Sequence, residues 1–180
     1  IKKLLTPIID PNFKNEIITK GLPASSGVIT GKVVFDSKAL KNFRNKKHNT
    51  ILVLKETSPN DVNAMNQSTG VLTCQGGMTS HAAVVARGLN KTCVTGARDI
   101  KIDFDNKRFH CGGLFIVEGD IITINGGNGE VLIGDAPTKI PTLSEALLQI
   151  VKWSEAINKN KSEDIIGFLE ETQEIIKKNK

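Results

Sequence analysis

Between two segments that read as strands, Gly70-Val71-Leu72-Thr73-Cys74 and Lys91-Thr92-Cys93-Val94-Thr95-Gly96, the chain carries Gly76-Gly77-Met78-Thr79-Ser80-His81-Ala82-Ala83-Val84-Val85-Ala86-Arg87-Gly88. This run leaves the backbone few options. Gly76 and Gly77 permit a sharp turn, Thr79 or Ser80 can cap a helix, Ala82 through Ala86 favour or tolerate one, and Gly88 stops it. The expectation is strand, tight turn, short helix and strand, with His81 in the first helical turn. There the unpaired backbone amides and the positive helix end favour an anion and disfavour an imidazolium. A histidine that attacks phosphorus must be unprotonated, and the dianionic product needs fixed donors, so such a place suits phosphoryl uptake. The same spacing also fits a polar residue that merely opens a helix, and the residues by themselves leave both readings open. They do not name a partner for the second ring nitrogen, which would fix the tautomer.

The rest of the chain divides by texture. Residues 1–20 mix Lys, Pro and Asn with scattered apolar positions and read as an N-terminal linker segment. From Gly21 the chain is turn-rich and then β-branched through Val28-Ile29-Thr30-Gly31-Lys32-Val33-Val34-Phe35, a strand pattern. Thr50-Ile51-Leu52-Val53-Leu54 reads as a buried strand. Ser58-Pro59-Asn60-Asp61 then starts a short helix to about Asn66. Gly113–Val117 and Asp120–Ile124 read as strands joined at Glu118-Gly119, and Glu130–Ile133 closes a further hairpin. After Pro137 the pattern turns helical, with Leu143, Ala146, Leu147, Ile150 and Val151 around Trp153, and a second amphipathic stretch from Ser162. The predicted organisation is a linker over 1–20, a strand-rich α/β domain over 21–136 and a helical connector over 137–180.

Charge and composition narrow the function. The net charge of +5 is concentrated in Lys38, Lys41, Arg44, Lys46 and Lys47 beside His48. With Phe43 as its one aromatic and no nucleic-acid motif in the chain, this run reads as a solvated loop or a docking face rather than a nucleic-acid site. Cys74, Cys93 and Cys111 are odd in number and lack C-x-x-C spacing, which argues against a disulfide framework or a zinc site and for a reducing compartment. His110 beside Cys111 lacks the further ligands a metal needs, so no metal is expected. No apolar stretch approaches the roughly 20 residues of a membrane-spanning helix. The expectation is a soluble, cytoplasmic (or reducing-organelle) protein with no nucleic-acid or membrane partner.

The run Gly76–Gly88, continued through Lys91–Gly96, resembles the phosphohistidine signature of the PEP-utilising enzymes. Within them it is most similar to the pyruvate phosphate dikinases, because Met78 stands where phosphoenolpyruvate synthase and enzyme I of the sugar phosphotransferase system usually carry Arg. Gly21-Leu22-Pro23-Ala24-Ser25, Glu56-Thr57-Ser58-Pro59 and Gly129-Glu130-Val131 extend the resemblance over residues 21–134. Ser26 departs from a common Pro, and Leu89-Asn90 from a usual Met-Gly or Trp-Gly pair, both at turns. Beyond Leu143 the similarity is to the start of a connector and fades after about residue 160.

The resemblance implies a swivelling β/β/α phosphohistidine domain with flanking linker helices, in which His81 is the catalytic nucleophile. It implies supporting or phosphate-binding roles for Gly76, Gly77, Thr79, Ser80 and Arg87, although the six-residue offset of Arg87 puts it on another helix face from His81, where a salt bridge fits equally. Thr79 matches a threonine that a regulatory kinase phosphorylates in plant dikinases; helix capping explains it as well. The partners implied are an ATP-grasp nucleotide domain before this one and a pyruvate-binding α/β barrel after it, in an enzyme that is a homo-oligomer. The full reaction would convert ATP, pyruvate and phosphate to AMP, phosphoenolpyruvate and diphosphate. No cofactor is expected in this domain, and magnesium is expected in the other two. Phosphoenolpyruvate synthase and a non-catalytic basic binding module remain as alternatives.

Overall fold

The computed structural model describes residues 7–139, apart from 11, 14 and 15. The part of the expected connector from 140 onward, with Leu143 and Trp153, lies outside the described residues. In chain order the elements are β1 (Ile8–Ile9), β2 (Ile17–Lys20), β3 (Leu22–Ser25), β4 (Val28–Val34), α1 (Ser37–Asn45), β5 (Thr50–Leu54), a 3-10 turn (Pro59–Asp61) running into α2 (Val62–Gln67) and β6 (Gly70–Thr73). Then come α3 (His81–Gly88), β7 (Thr92–Thr95), β8 (Lys101–Asp103), β9 (Arg108–Cys111), β10 (Leu114–Val117), β11 (Ile121–Asn125), β12 (Glu130–Ile133) and β13 (Thr138–Lys139).

The main sheet has eight strands in the order β2-β12-β11-β4-β5-β6-β7-β3. Its centre, β4 to β7, is parallel, and antiparallel strands flank it on both sides. Parallel neighbours need a crossover, and α1, α2 and α3 supply the three required. The central strands are buried on both faces, which is why they read as continuous apolar runs rather than alternating ones. Val34, Leu52, Val71 and Cys93 face Ala39 and Leu40 of α1, Ala64 and Met65 of α2, and Ala83 and Ala86 of α3. Val33, Ile51, Val53, Leu72 and Val94 face the other way, toward Phe109, Cys111 and Ile116. Those last residues belong to a second, three-stranded sheet, β10-β9-β8. The layers are therefore β/β/α, a mixed α/β fold. Leu40 and Met65 are fully buried, and each such side chain contributes roughly 2 kcal/mol of transfer free energy.

Three stretches differ from the sequence expectation. The basic run is not a loop in its first part: Ser37–Asn45 is helical, with the Asp36 carboxylate accepting from the Ala39 amide at 2.7 Å. Ala39, Leu40 and Phe43 turn inward at helical spacing while Lys38, Lys41 and Arg44 face solvent. The helix ends where Lys47 takes φ +60°. Ile17–Lys20, assigned from the sequence to the lead-in, is an edge strand on β12 with Ile18 and Thr19 buried. At the other end Thr138–Lys139 pairs with Ile8–Ile9 as strand.

Candidate functional site

The loop from β6 to α3 leaves the carboxyl edge of the parallel strands, and its shape is fixed by contacts that sequence alone only outlines. Gly76 sits at φ +109°, and a Cβ there would lie 3.0 Å from Ser80 Oγ, so this position needs glycine twice over. Gly96, at φ +65°, packs against the loop from the next strand; a Cβ there would meet the Gly76 carbonyl at 2.7 Å. Gly77 has open space around it and uses its carbonyl, which accepts from the Ser80 amide at 3.0 Å and from Thr95 Oγ1 at 3.4 Å.

Of the two candidate caps, the structure uses Ser80. Its backbone is extended (φ −63°, ψ 161°) and its hydroxyl accepts from the Ala83 amide at 3.4 Å, while Thr79 is exposed and caps nothing. Helix α3 then begins at His81 itself. Ala82, Ala83 and Ala86 are buried against the sheet, which anchors one face of the helix and turns His81 and Val84 outward.

His81 is exposed, and its ring makes no hydrogen bond or ion pair among the described residues. The backbone amides of His81 and Ala82 likewise have no acceptor among them, as expected for a first helical turn. No acidic residue lies in that turn. Met78, at 50% exposure, and Val84, at 55%, are exposed apolar residues three positions before and three after His81.

Arg87 does not form a salt bridge among the described residues. Its Nη1 donates to the Ala24 carbonyl of β3 at 2.9 Å and its Nη2 to the Met78 carbonyl at 3.0 Å. The side chain thus ties the end of α3 to an adjacent strand and to the loop that introduces His81. The planar guanidinium, with donors in a fixed fork, can serve two carbonyls at once.

The other histidines are placed differently. His48 packs edge-on to Phe43, and His110 lies against Phe115, with ring centroids 5.7 Å apart. Cys111 points to the opposite face of β9, where its Sγ donates to the Ile18 carbonyl at 3.4 Å, so His110 and Cys111 do not converge on a common point. Among the described residues no three His, Cys, Asp or Glu side chains gather where they could hold a metal. All three cysteines are free and buried. Burial pushes the Cys74 thiol up to about 11 and the Cys93 thiol up to about 12, so neither is a nucleophile near neutral pH.

Residues 46–129 match the family model described as "PEP-utilising enzyme, mobile domain". Residues 46–129 belong to that family. The match takes in β5 through β11, hence the whole glycine loop and α3. The chain is also 44% identical over 156 residues to "Pyruvate, phosphate dikinase" of Rhizobium meliloti (strain 1021), covering 87% of this chain and 17% of that protein. It is 44% identical over 161 residues to the protein of the same name from Rickettsia typhi, covering 88% of this chain and 18% of that one. For "Pyruvate, phosphate dikinase 1, chloroplastic" of Arabidopsis thaliana the figures are 42% over 153 residues, 84% and 16%. The chain thus spans a small part of the length of these relatives. A solved structure, "N-terminal domain of Enzyme 1 - Nitrogen", aligns with a TM-score of 0.45 at 14% identity, covering 77% of this chain and 99% of its own. Among the described residues no helix is long and apolar enough to cross a membrane.

Proposed function

We propose that the mobile domain is a phosphohistidine carrier of a pyruvate, phosphate dikinase, in which His81 takes up a phosphoryl group at one active site and delivers it at another. The observation that carries this reading is the exposed imidazole on the first residue of a helix, with no partner for the ring or for the leading amides among the described residues. One ring nitrogen attacks phosphorus, the N–P bond forms as the P–O bond to the leaving group breaks, and the leaving oxygen keeps that bond's electron pair. The second ring nitrogen sheds its proton to solvent as positive charge builds on the ring. In delivery an acceptor oxygen attacks the same phosphorus, the P–N electrons return to the ring, and the imidazole takes back a proton from solvent.

The residues around His81 then have separable tasks. The amides of His81 and Ala82 and the positive end of α3 would hold the transferred dianion. Ser80 and the carbonyl contacts of Gly77 fix the loop, and Arg87 braces it from behind. The exposed Met78 and Val84 would be covered when the domain docks on an ATP-grasp nucleotide domain or on a pyruvate-binding barrel. Delivery at the second site requires the domain to swivel between the two. Thr79, exposed and without a capping role, is open to a regulatory kinase; a phosphate there would occupy the helix start and repel an incoming phosphoryl group. Magnesium belongs to the partner domains in this scheme.

The test is to incubate the chain with the nucleotide domain of a relative, γ- and β-labelled ATP and phosphate, and to map the label. Acid-labile, base-stable label on His81, absent from His81→Ala, is the expected result. Label on another residue, or none while the relative's intact enzyme turns over, would overturn the assignment.

A further inference from the structure

A cleft of about 830 Å³ opens beside the glycine loop, on the side of the second sheet. Its walls follow from the topology. Lys55 comes directly after β5, Gly76 lies in the loop that leaves β6, Arg98 lies in the turn after β7, and Lys101 opens β8. The cleft therefore sits at the carboxyl edge of three adjacent parallel strands, the edge at which open α/β sheets take their ligands.

The lining has one sign of charge. Lys55, Arg98 and Lys101 all face the cleft, no carboxylate lines it, and none of the three has a side-chain partner among the described residues. Three unpaired cations on one concave surface repel one another, and a bound polyanion would offset that repulsion with charge-assisted hydrogen bonds. The far wall is apolar: Ile102 is half-buried, and Phe104 is held edge-on by Phe35 at 6.3 Å yet keeps 49% of its surface exposed. The volume falls within the roughly 300–1,000 Å³ range of small-ligand sites.

We propose that this cleft is a binding site for a small polyanion built of linked phosphate groups, separate from the carrier histidine. Lys55, Arg98 and Lys101 hold the phosphates, and Phe104 offers its face to a planar body attached to them. The site shares Gly76 with the loop that ends in the Ser80 cap, so an occupant would touch the segment that introduces His81. Binding itself does not depend on phosphorylation of His81.

Titration calorimetry of the 180-residue chain with magnesium-free ATP and with inorganic pyrophosphate tests this. One-to-one binding is expected, weakened about tenfold or more in Lys55→Gln/Arg98→Gln/Lys101→Gln and about two- to fivefold in each single variant, as for charge-assisted contacts. The control Lys38→Gln/Lys41→Gln/Arg44→Gln removes the same charge from α1 and should leave affinity unchanged, as should His81→Ala. ATP binding tighter than pyrophosphate, with the advantage lost in Phe104→Ala, assigns the site to nucleoside phosphates. Equal affinities insensitive to Phe104→Ala assign it to inorganic polyphosphate. The proposal is overturned if neither probe binds, if the α1 control loses as much affinity as the cleft variant, or if His81→Ala abolishes binding. Because His81→Ala is expected to bind normally yet carry no label, failure here and failure of the carrier assignment are distinguishable.

Discussion

Helices α1 and α3 fill the same structural post and are finished differently at the end that matters. Each crosses between adjacent parallel strands, packs on the same face of the sheet, and begins with a side chain bonded to the amide three residues on. In α1 that side chain is the Asp36 carboxylate, 2.7 Å from the Ala39 amide and 3.0 Å from Lys107 Nζ. The positive end of α1 is thus answered from within the fold. In α3 the cap is the neutral Ser80 hydroxyl at 3.4 Å, no acid stands in the first turn, and the leading residue is an exposed imidazole. One helix end is closed by a charged cap with a partner of its own, and the other by a neutral cap beside an exposed imidazole.

The largest expected effect comes from making α3 resemble α1. Ser80→Asp should leave the fold as stable or add up to about 0.5 kcal/mol, since Asp caps as well as Ser and complements the dipole. The same carboxylate would sit where the phosphate must go, and labelling of His81 should slow about a hundredfold, close to 2.7 kcal/mol in barrier. Thermal unfolding and the labelling rate, measured on one preparation, separate the two effects. A stable variant that labels at the normal rate would show that the open helix end has no part in phosphate uptake.

A smaller loss is expected from the brace. Arg87→Met removes both bonds, to Ala24 and to Met78, while keeping an apolar stem of similar reach. Labelling should fall about tenfold, a loss of the size that slight misplacement of a reacting group produces. Amide exchange at Met78–Ser80 should speed up in the same variant. Slower labelling with unchanged exchange would mean that Arg87 acts on the phosphate directly, not through the loop.

The contrast between the two helices also explains what could be seen in the sequence. Around α3, glycines, a capping pair and an alanine-rich run all point to one local structure, and each of these signals acts within a few residues. The first part of α1 was hidden because Lys38, Lys41 and Arg44 set its tone, although Ala39, Leu40 and Phe43 already stand at i, i+1 and i+4 on its inner side. Strand β9 was missed for a similar reason. Arg108-Phe109-His110-Cys111 alternates half-buried and buried residues, a period-2 signal in a segment too short and too charged to stand out. The cleft could not be read at all, because Lys55, Arg98 and Lys101 come together only through strand order, which local pattern does not encode. The brace by Arg87 is equally non-local, 63 residues from Ala24.

The smallest expected effect tests the other helix. Asp36→Ala should cost about 1 kcal/mol at neutral pH, the usual loss for an N-cap, and should leave His81 labelling unchanged. The Lys107 contact adds little, since both partners are close to half exposed. The Ala39 amide, and after it Lys107, hold the Asp36 carboxyl below its ordinary 3.8. A lowered carboxyl stabilises the folded state at pH values above 3.8, and that contribution is lost as pH falls through the folded-state value. Asp36→Asn keeps a neutral cap and removes only this charge-dependent part. The stability gap between wild type and Asp36→Asn, followed by urea unfolding, should therefore be constant from pH 7 down to about 5 and close below about 3.8. A gap that persists at low pH would mean that α1 is held by the shape of its cap and not by its charge, and the distinction drawn between the two helix ends would lose its electrostatic basis.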